Sequence, residues 1–235
     1  MTVSKEQMDK ANKVKYENNG LVGVFTRKYI STRITRVVAQ TSLRPNQITF
    51  ISLLVGAIAV YFLSTGQRFN LVIAGILIFF SKILDAVDGE LARVKKLETK
   101  RGAWLDGISD RLKENLYFFG IALGLYNQTG NVMAWYYAFV AAMGVHMLSI
   151  VLEHTGIMDK IVLKNTHGDF WLVRFARKFG IKPQYIALQA DTYLFVLYAG
   201  VMLNQLMFVL WFFMIVVNLY WLAIVVLVYK KCGAA

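Results

Sequence analysis

Between Asp85 and Asp110 the chain reads DAVDGELARVKKLETKRGAWLDGISD, which sets four aspartates within 26 residues. Asp85 and Asp88 are three apart and Asp106 and Asp110 four apart, so on helices each pair shares one face and two facing pairs could close on a common point. Four converging carboxylates repel one another unless a cation or protons intervene, and acids beside hydrocarbon are costly enough to mark function. Hard oxygen ligands favour Mg²⁺, Mn²⁺ or Ca²⁺ over zinc, and two ions held this way suit phosphoryl chemistry. Gly89 and Ala92 clear space beside Asp88, and Gly102 does so one turn before Asp106. That space would admit a flat base and a diphosphate, or let helices pack closely. Arg93 adds a planar donor for phosphate oxygens.

The elements that must position these residues are apolar. Of 235 residues 57% are hydrophobic, 17% are charged and two are proline, a balance of polytopic membrane proteins. Apolar runs at 48 to 65, 70 to 84, 115 to 127, 131 to 152, 187 to 203 and 205 to 229 predict six spans. The second and third are short for a bilayer core of roughly 20 residues, so their helices should extend to 70–94 and 103–127 and carry the aspartates to one membrane surface. The net charge of +12 does not spread like a nucleic-acid patch, and no nucleic-acid partner is expected. Alternate loops hold 24 and 1 Lys and Arg, with Lys82 inside the second span. The positive-inside rule then puts both termini and the aspartates on the cytoplasmic side of a multi-pass cell-membrane protein.

Three regions follow: a polar segment at 1–21, a juxtamembrane amphipathic helix at 22–41, and a six-helix transmembrane domain at 42–235. The amphipathic helix sets Val22, Phe25, Tyr29, Ile30, Ile34 and Val37 against Arg27, Lys28, Arg33 and Arg36 and should lie at the cytoplasmic interface. Pro45 and Asn46 should open the first span. The polar N-terminus has no apolar signal-peptide core, and the single cysteine, Cys232, excludes an intrachain disulfide or a cysteine-based zinc cluster. Lys82, one turn from Asp85, should pair with it; His146, His154 and His167 are too dispersed for a metal site. A cation transporter would want acids spread through the membrane depth, whereas these cluster at one face.

The pattern D-x2-D-G-x2-A-R-x8-G-x3-D-x3-D, filled by Asp85, Asp88, Gly89, Ala92, Arg93, Gly102, Asp106 and Asp110, resembles the signature of the CDP-alcohol phosphotransferases, also called CDP-alcohol phosphatidyltransferases. The likeness extends over residues 22 to 229 and includes the Pro-Asn-x-x-Thr start of the first span. It implies an all-α integral membrane enzyme, a homodimer, that transfers a substituted phosphate from a CDP-alcohol to a hydroxyl and releases CMP. It implies that Asp85, Asp88, Asp106 and Asp110 hold Mg²⁺ or Mn²⁺, two ions in all, and that Asp110 takes the acceptor's proton. Gly89, Ala92, Arg93, Thr99 and Gly102 would contact the CDP-alcohol, with Asn46 and Thr49 bordering its pocket. Gly102-Ala103-Trp104-Leu105-Asp106 and Asp110-Arg111 are similar to inositol phosphate-using members. A basic acceptor pocket of Lys113, Arg174 and Arg177 would suit that acceptor. Phosphatidylglycerophosphate and phosphatidylserine synthases, and diacylglycerol choline or ethanolamine phosphotransferases, are the other members the signature admits.

Overall fold

The computed structural model describes residues 27–155 and 190–232, and every described element is helical. The polar N-terminus, the first part of the 22–41 segment, and most of the basic connection with Arg174, Arg177 and His167 lie outside the described residues. A π-helical turn, Arg27–Ser31, leads into α1 (Thr32–Val38). There follow α2 (Pro45–Ser64), α3 (Arg68–Lys95), α4 (Lys100–Thr129), α5 (Met133–Thr155) and α6 (Ala190–Met202). The last rod begins as α7 (Leu206–Trp211), passes a π-helical turn at Phe212–Val217 and continues as α8 (Asn218–Cys232).

Local chemistry accounts for the boundaries that matter. Pro45 occupies the first turn of α2, where its missing N–H costs nothing, and the Gln47 side chain accepts from the Arg44 N–H at 2.8 Å. The Thr99 hydroxyl caps α4 by accepting from the Gly102 N–H at 3.0 Å. The expected extensions of the second and third apolar runs are present: α3 and α4 both carry their aspartates on continuous helix.

Four rods are long and apolar enough to cross a membrane: Pro45–Ser64, Arg68–Lys95, Met133–Leu152 and Leu206–Val226. The other two expected spans differ for separate reasons. The first half of α4 carries Lys100, Arg101, Asp106, Asp110, Arg111, Lys113 and Glu114, and α6 is described only from Ala190.

α2 packs on α3 and α4, α3 also on α6, and α4 on α5. A Cβ on Gly56 would come 2.9 Å from the Tyr117 hydroxyl, and one on Gly124 would collide with the Leu63 carbonyl, so α2 and α4 meet nearly backbone to backbone. The main apolar core includes Ala59, Leu63, Leu71, Ile78, Phe118, Ile121, Leu197 and Phe213. A smaller cluster of Ile48, Ile83, Leu84, Val87 and Leu91 lies toward the aspartate end, with Ile30, Ile34 and Val38 packed on it. Between the two, buried Ser52 and Ser81 exchange hydrogen bonds across α2 and α3: each hydroxyl reaches the other's carbonyl at 2.9 Å.

Among the described residues of the juxtamembrane segment, the stripe turned into the protein is polar. Tyr29 and Val37 are exposed, Ile30 and Ile34 half-buried, and the fully covered positions are Ser31, Thr32 and Thr35. The reason is a buried polar partner on α3, Glu90, whose two oxygens accept from Ser31 and Thr35.

Candidate active site

α3 brings Asp85 and Asp88 to the end of the bundle, and α4 brings Asp106 and Asp110 to face them. Oxygens of Asp85, Asp106 and Asp110 lie within 4.8 Å of one another, close enough for one cation to meet all three. Asp88 is set apart from this trio. It is buried, and its Oδ2 accepts from the Thr49 hydroxyl of α2 at 2.6 Å. The four carboxylates thus form a converging triad with one neighbour a turn along α3, rather than two symmetric pairs.

Two lysines balance the triad. Lys82 Nζ lies 2.8 Å from Asp85 Oδ2, the pairing expected from their spacing. Lys113 is buried, with its ammonium 2.7 Å from Asp85 Oδ1, 3.0 Å from Asp110 Oδ1 and 3.1 Å from the Ser52 hydroxyl. Its charge therefore serves the aspartates directly, although its side chain also borders the cavity that Asp110 enters.

A cavity of about 170 Å³ opens on one side of the carboxylates. Asn46 and Thr49 from α2, Asp88, Gly89, Ala92 and Arg93 from α3, and Thr99, Gly102 and Asp106 at the start of α4 all border it. Every residue expected to meet a CDP-alcohol thus lines one space. Gly102 is needed for its shape: a Cβ there would stand 3.1 Å from Thr99 Oγ1 and 3.3 Å from Asn46 Oδ1. The first turns of α2 and α4 both open onto the cavity, so two helix N-termini favour negative charge in it.

A second cavity, about 240 Å³, lies on the other side, where Asp110 faces Lys82, Arg111, Lys113, Glu114, Ser149 and Tyr193. Glu114 is buried; the Tyr193 hydroxyl of α6 donates to its Oε1 at 2.9 Å and Arg111 approaches its Oε2 at 3.1 Å. Glu114, Tyr193 and Glu90 were not singled out by the sequence pattern, whereas Arg111 entered it beside Asp110. An acid at Asp110 plus four, on the same helical face, is the local signal for Glu114. Tyr193 comes from a distant helix and has none. His146 Nε2 donates to Asn115 Oδ1 at 3.0 Å, in keeping with a structural role.

Comparison with known proteins agrees with this geometry. The profile of the family described as CDP-alcohol phosphatidyltransferase matches residues 42–227. The chain is 36% identical over 156 residues to the bifunctional IPC transferase and DIPP synthase of Archaeoglobus fulgidus, covering 64% of this chain and 30% of that protein. It is 35% identical over 117 residues to the archaetidylinositol phosphate synthase of Pyrococcus horikoshii, covering 50% and 57% respectively. A shorter match, 42% over 67 residues and 28% of each chain, is to the CDP-diacylglycerol–inositol 3-phosphatidyltransferase of Drosophila melanogaster. These matches span between about a quarter and somewhat over half of the relatives' lengths. With the profile covering most of its length and its signature residues gathered around one carboxylate cluster, the chain belongs to the CDP-alcohol phosphatidyltransferase family.

Proposed function

We propose that this protein transfers a substituted phosphate from a CDP-alcohol to the hydroxyl of an inositol phosphate, releasing CMP. The observation that carries the reading is one carboxylate cluster between two cavities, with Asp106 bordering the first and Asp110 the second.

The first cavity takes the CDP portion. Gly89, Ala92 and Gly102 leave room for a base and diphosphate, and Arg93 with the two helix N-termini complements phosphate oxygens. Asp85, Asp106 and Asp110, with Asp88 beside them, are hard donors that fit Mg²⁺ or Mn²⁺, two ions on this reading. When bound, such ions neutralise phosphate oxygens and stabilise the attacking and leaving oxygens. Asp110 accepts the proton of the acceptor hydroxyl presented from the second cavity. That oxygen bonds to the β-phosphorus while the bond from β-phosphorus to the oxygen of CMP breaks, and CMP leaves with the electron pair.

An inositol phosphate acceptor is supported by the likeness to the archaetidylinositol phosphate synthase and by Lys82, Arg111 and Lys113 around the second cavity. Arg174 and Arg177, outside the described residues, belong to the same reading. The product is a phosphoinositol phosphate: a lipid if the donor is CDP-linked lipid, a di-inositol compound if it is CDP-inositol. Six spans rest on the apolar runs of the sequence, and placing both termini and the site on the cytoplasmic face rests on the 24 to 1 distribution of basic residues. A homodimer rests on the family resemblance.

The test is CMP release by purified protein in detergent with Mg²⁺ or Mn²⁺, from CDP-diacylglycerol, CDP-archaeol or CDP-inositol. Inositol phosphate should support turnover and glycerol phosphate or serine should not. Preference for either of the latter overturns the acceptor; no CMP from any donor by folded protein overturns the transfer itself.

A further inference from the structure

Glu90 sits inside the aspartate motif but faces away from it. Two residues after Asp88 on α3, it is rotated about 200° around the helix, and it is 0% exposed. Its Oε1 accepts from the Ser31 hydroxyl at 2.7 Å and its Oε2 from the Thr35 hydroxyl at 2.8 Å. Ser31 and Thr35 are one turn apart on the juxtamembrane segment and equally buried. Five residues on, Lys95 makes a second tie, its Nζ donating to the carbonyls of Thr41 at 2.7 Å and Leu43 at 2.9 Å. Ile30, Ile34 and Val38 seal the space between on Val87, Leu91 and their neighbours.

The connection from α1 to α2 is therefore held at both ends by the last two turns of α3. It leads at once into Pro45, Asn46 and Thr49, which border the first cavity. The same stretch of α3 presents Asp88, Gly89, Ala92 and Arg93 to that cavity from its other side. One short length of helix thus carries half the pocket on its front and anchors the strap that delivers the other half on its back.

We infer that Glu90 is a positioning residue for the nucleotide side of the site: by clamping Ser31 and Thr35 it fixes the start of α2, and with it Asn46 and Thr49, against Asp88 and Gly89. The inference rests on the proposed reading of the first cavity as the CDP pocket. A carboxylate buried with hydroxyl donors holds its partners through charge-assisted hydrogen bonds, the stronger kind. Its neutral isostere would keep the shape and lose that hold.

Glu90→Gln and Ser31→Ala are compared with wild type, and Thr35→Ser is the conservative control. Two readouts are used: steady-state kinetics with CDP-diacylglycerol and inositol phosphate, and hydrogen exchange of the backbone amides of residues 46–49. Glu90→Gln and Ser31→Ala should raise the KM for the CDP donor by about tenfold while the acceptor KM and kcat stay within about threefold, and amide exchange at 46–49 should quicken by about tenfold. Thr35→Ser should match wild type in both. Unchanged exchange at 46–49 in a folded variant overturns the clamp whatever the protein's substrates. Faster exchange with donor and acceptor KM altered equally overturns the nucleotide-side role and leaves a purely structural contact. Failure of the wild type to turn over, with exchange still responding to Glu90→Gln, counts against the CDP reading and not against the clamp.

Discussion

Replacing Lys113 with methionine keeps the apolar stem and deletes one charge, and its outcome depends on whether the aspartate cluster holds metal. The ammonium lies 2.7 Å from Asp85 and 3.0 Å from Asp110, with 4% of the residue exposed. At an effective dielectric of about 20, each contact is worth roughly 5 to 6 kcal/mol of gross attraction, most of it offset by desolvating the charges. Breaking a buried pair by removing one partner costs about 3 to 5 kcal/mol, because the other charge stays behind. For a chain of this size, each kcal/mol moves Tm by about 2 to 4 °C, so Lys113→Met should lower Tm by about 10 °C in EDTA. With Mg²⁺ or Mn²⁺ present the deficit should shrink by at least about half, since without the competing ammonium the ion binds Asp85 and Asp110 more tightly in the variant than in wild type and stabilises it more by linkage. Lys82→Met should cost less, because the Lys82 side chain is 25% exposed whereas that of Lys113 is 5% exposed. Thermal unfolding followed by tryptophan fluorescence, with and without metal, reads all three. An equal drop for Lys113→Met in both conditions, with no rise in Tm on adding metal to it or to wild type, would refute metal binding at Asp85 and Asp110. No drop at all would refute the buried ion pair.

Three further outcomes are expected. Asp110→Asn should lower kcat by about 10² to 10⁴ while binding CMP within about twofold of wild type, measured by CMP release and by calorimetry. Gly102→Ala should raise the CDP-donor KM by about tenfold, as the new methyl group crowds Thr99 and Asn46; an unchanged donor KM would separate that glycine from the pocket. Tyr193→Phe, which removes the hydroxyl on Glu114, should cost about 1 kcal/mol of stability and raise the acceptor KM without changing the donor KM.

The aspartate cluster was legible because its information is local. Spacings of three and four put Asp85 with Asp88 and Asp106 with Asp110 on shared faces, and a glycine beside an acid signals room for a ligand. The helical extensions into polar sequence followed from bilayer thickness alone. Glu90 was not legible, although it lies between two residues of the motif, because its partners are 55 and 59 positions away. Hydrophobic periodicity marked the apolar positions of the juxtamembrane segment but not its polar stripe, where a buried carboxylate draws Ser31 and Thr35 inward. The departure of Asp88 from the triad comes from Thr49, a residue on another helix whose reach no spacing encodes. Long-range polar pairs set these details, and a single sequence carries no periodic trace of them.

The polar layer buried within the bundle also constrains how the protein is made. On its own, α4 would lack the long-range partners of Lys113 and Glu114, both buried in the bundle, and a buried charge left without its partner costs about 3 to 5 kcal/mol. The partners that relieve this cost are Asp85 on α3 and Tyr193 on α6. α3 leaves the ribosome before α4 and can receive Lys113 as α4 folds against it. Glu114 has Arg111 one turn back on its own helix and gains the Tyr193 hydroxyl only some 80 residues later. Biogenesis therefore has a natural order: a three-helix intermediate closed around the carboxylates first, then a late docking of α6 that completes the wall of the second cavity.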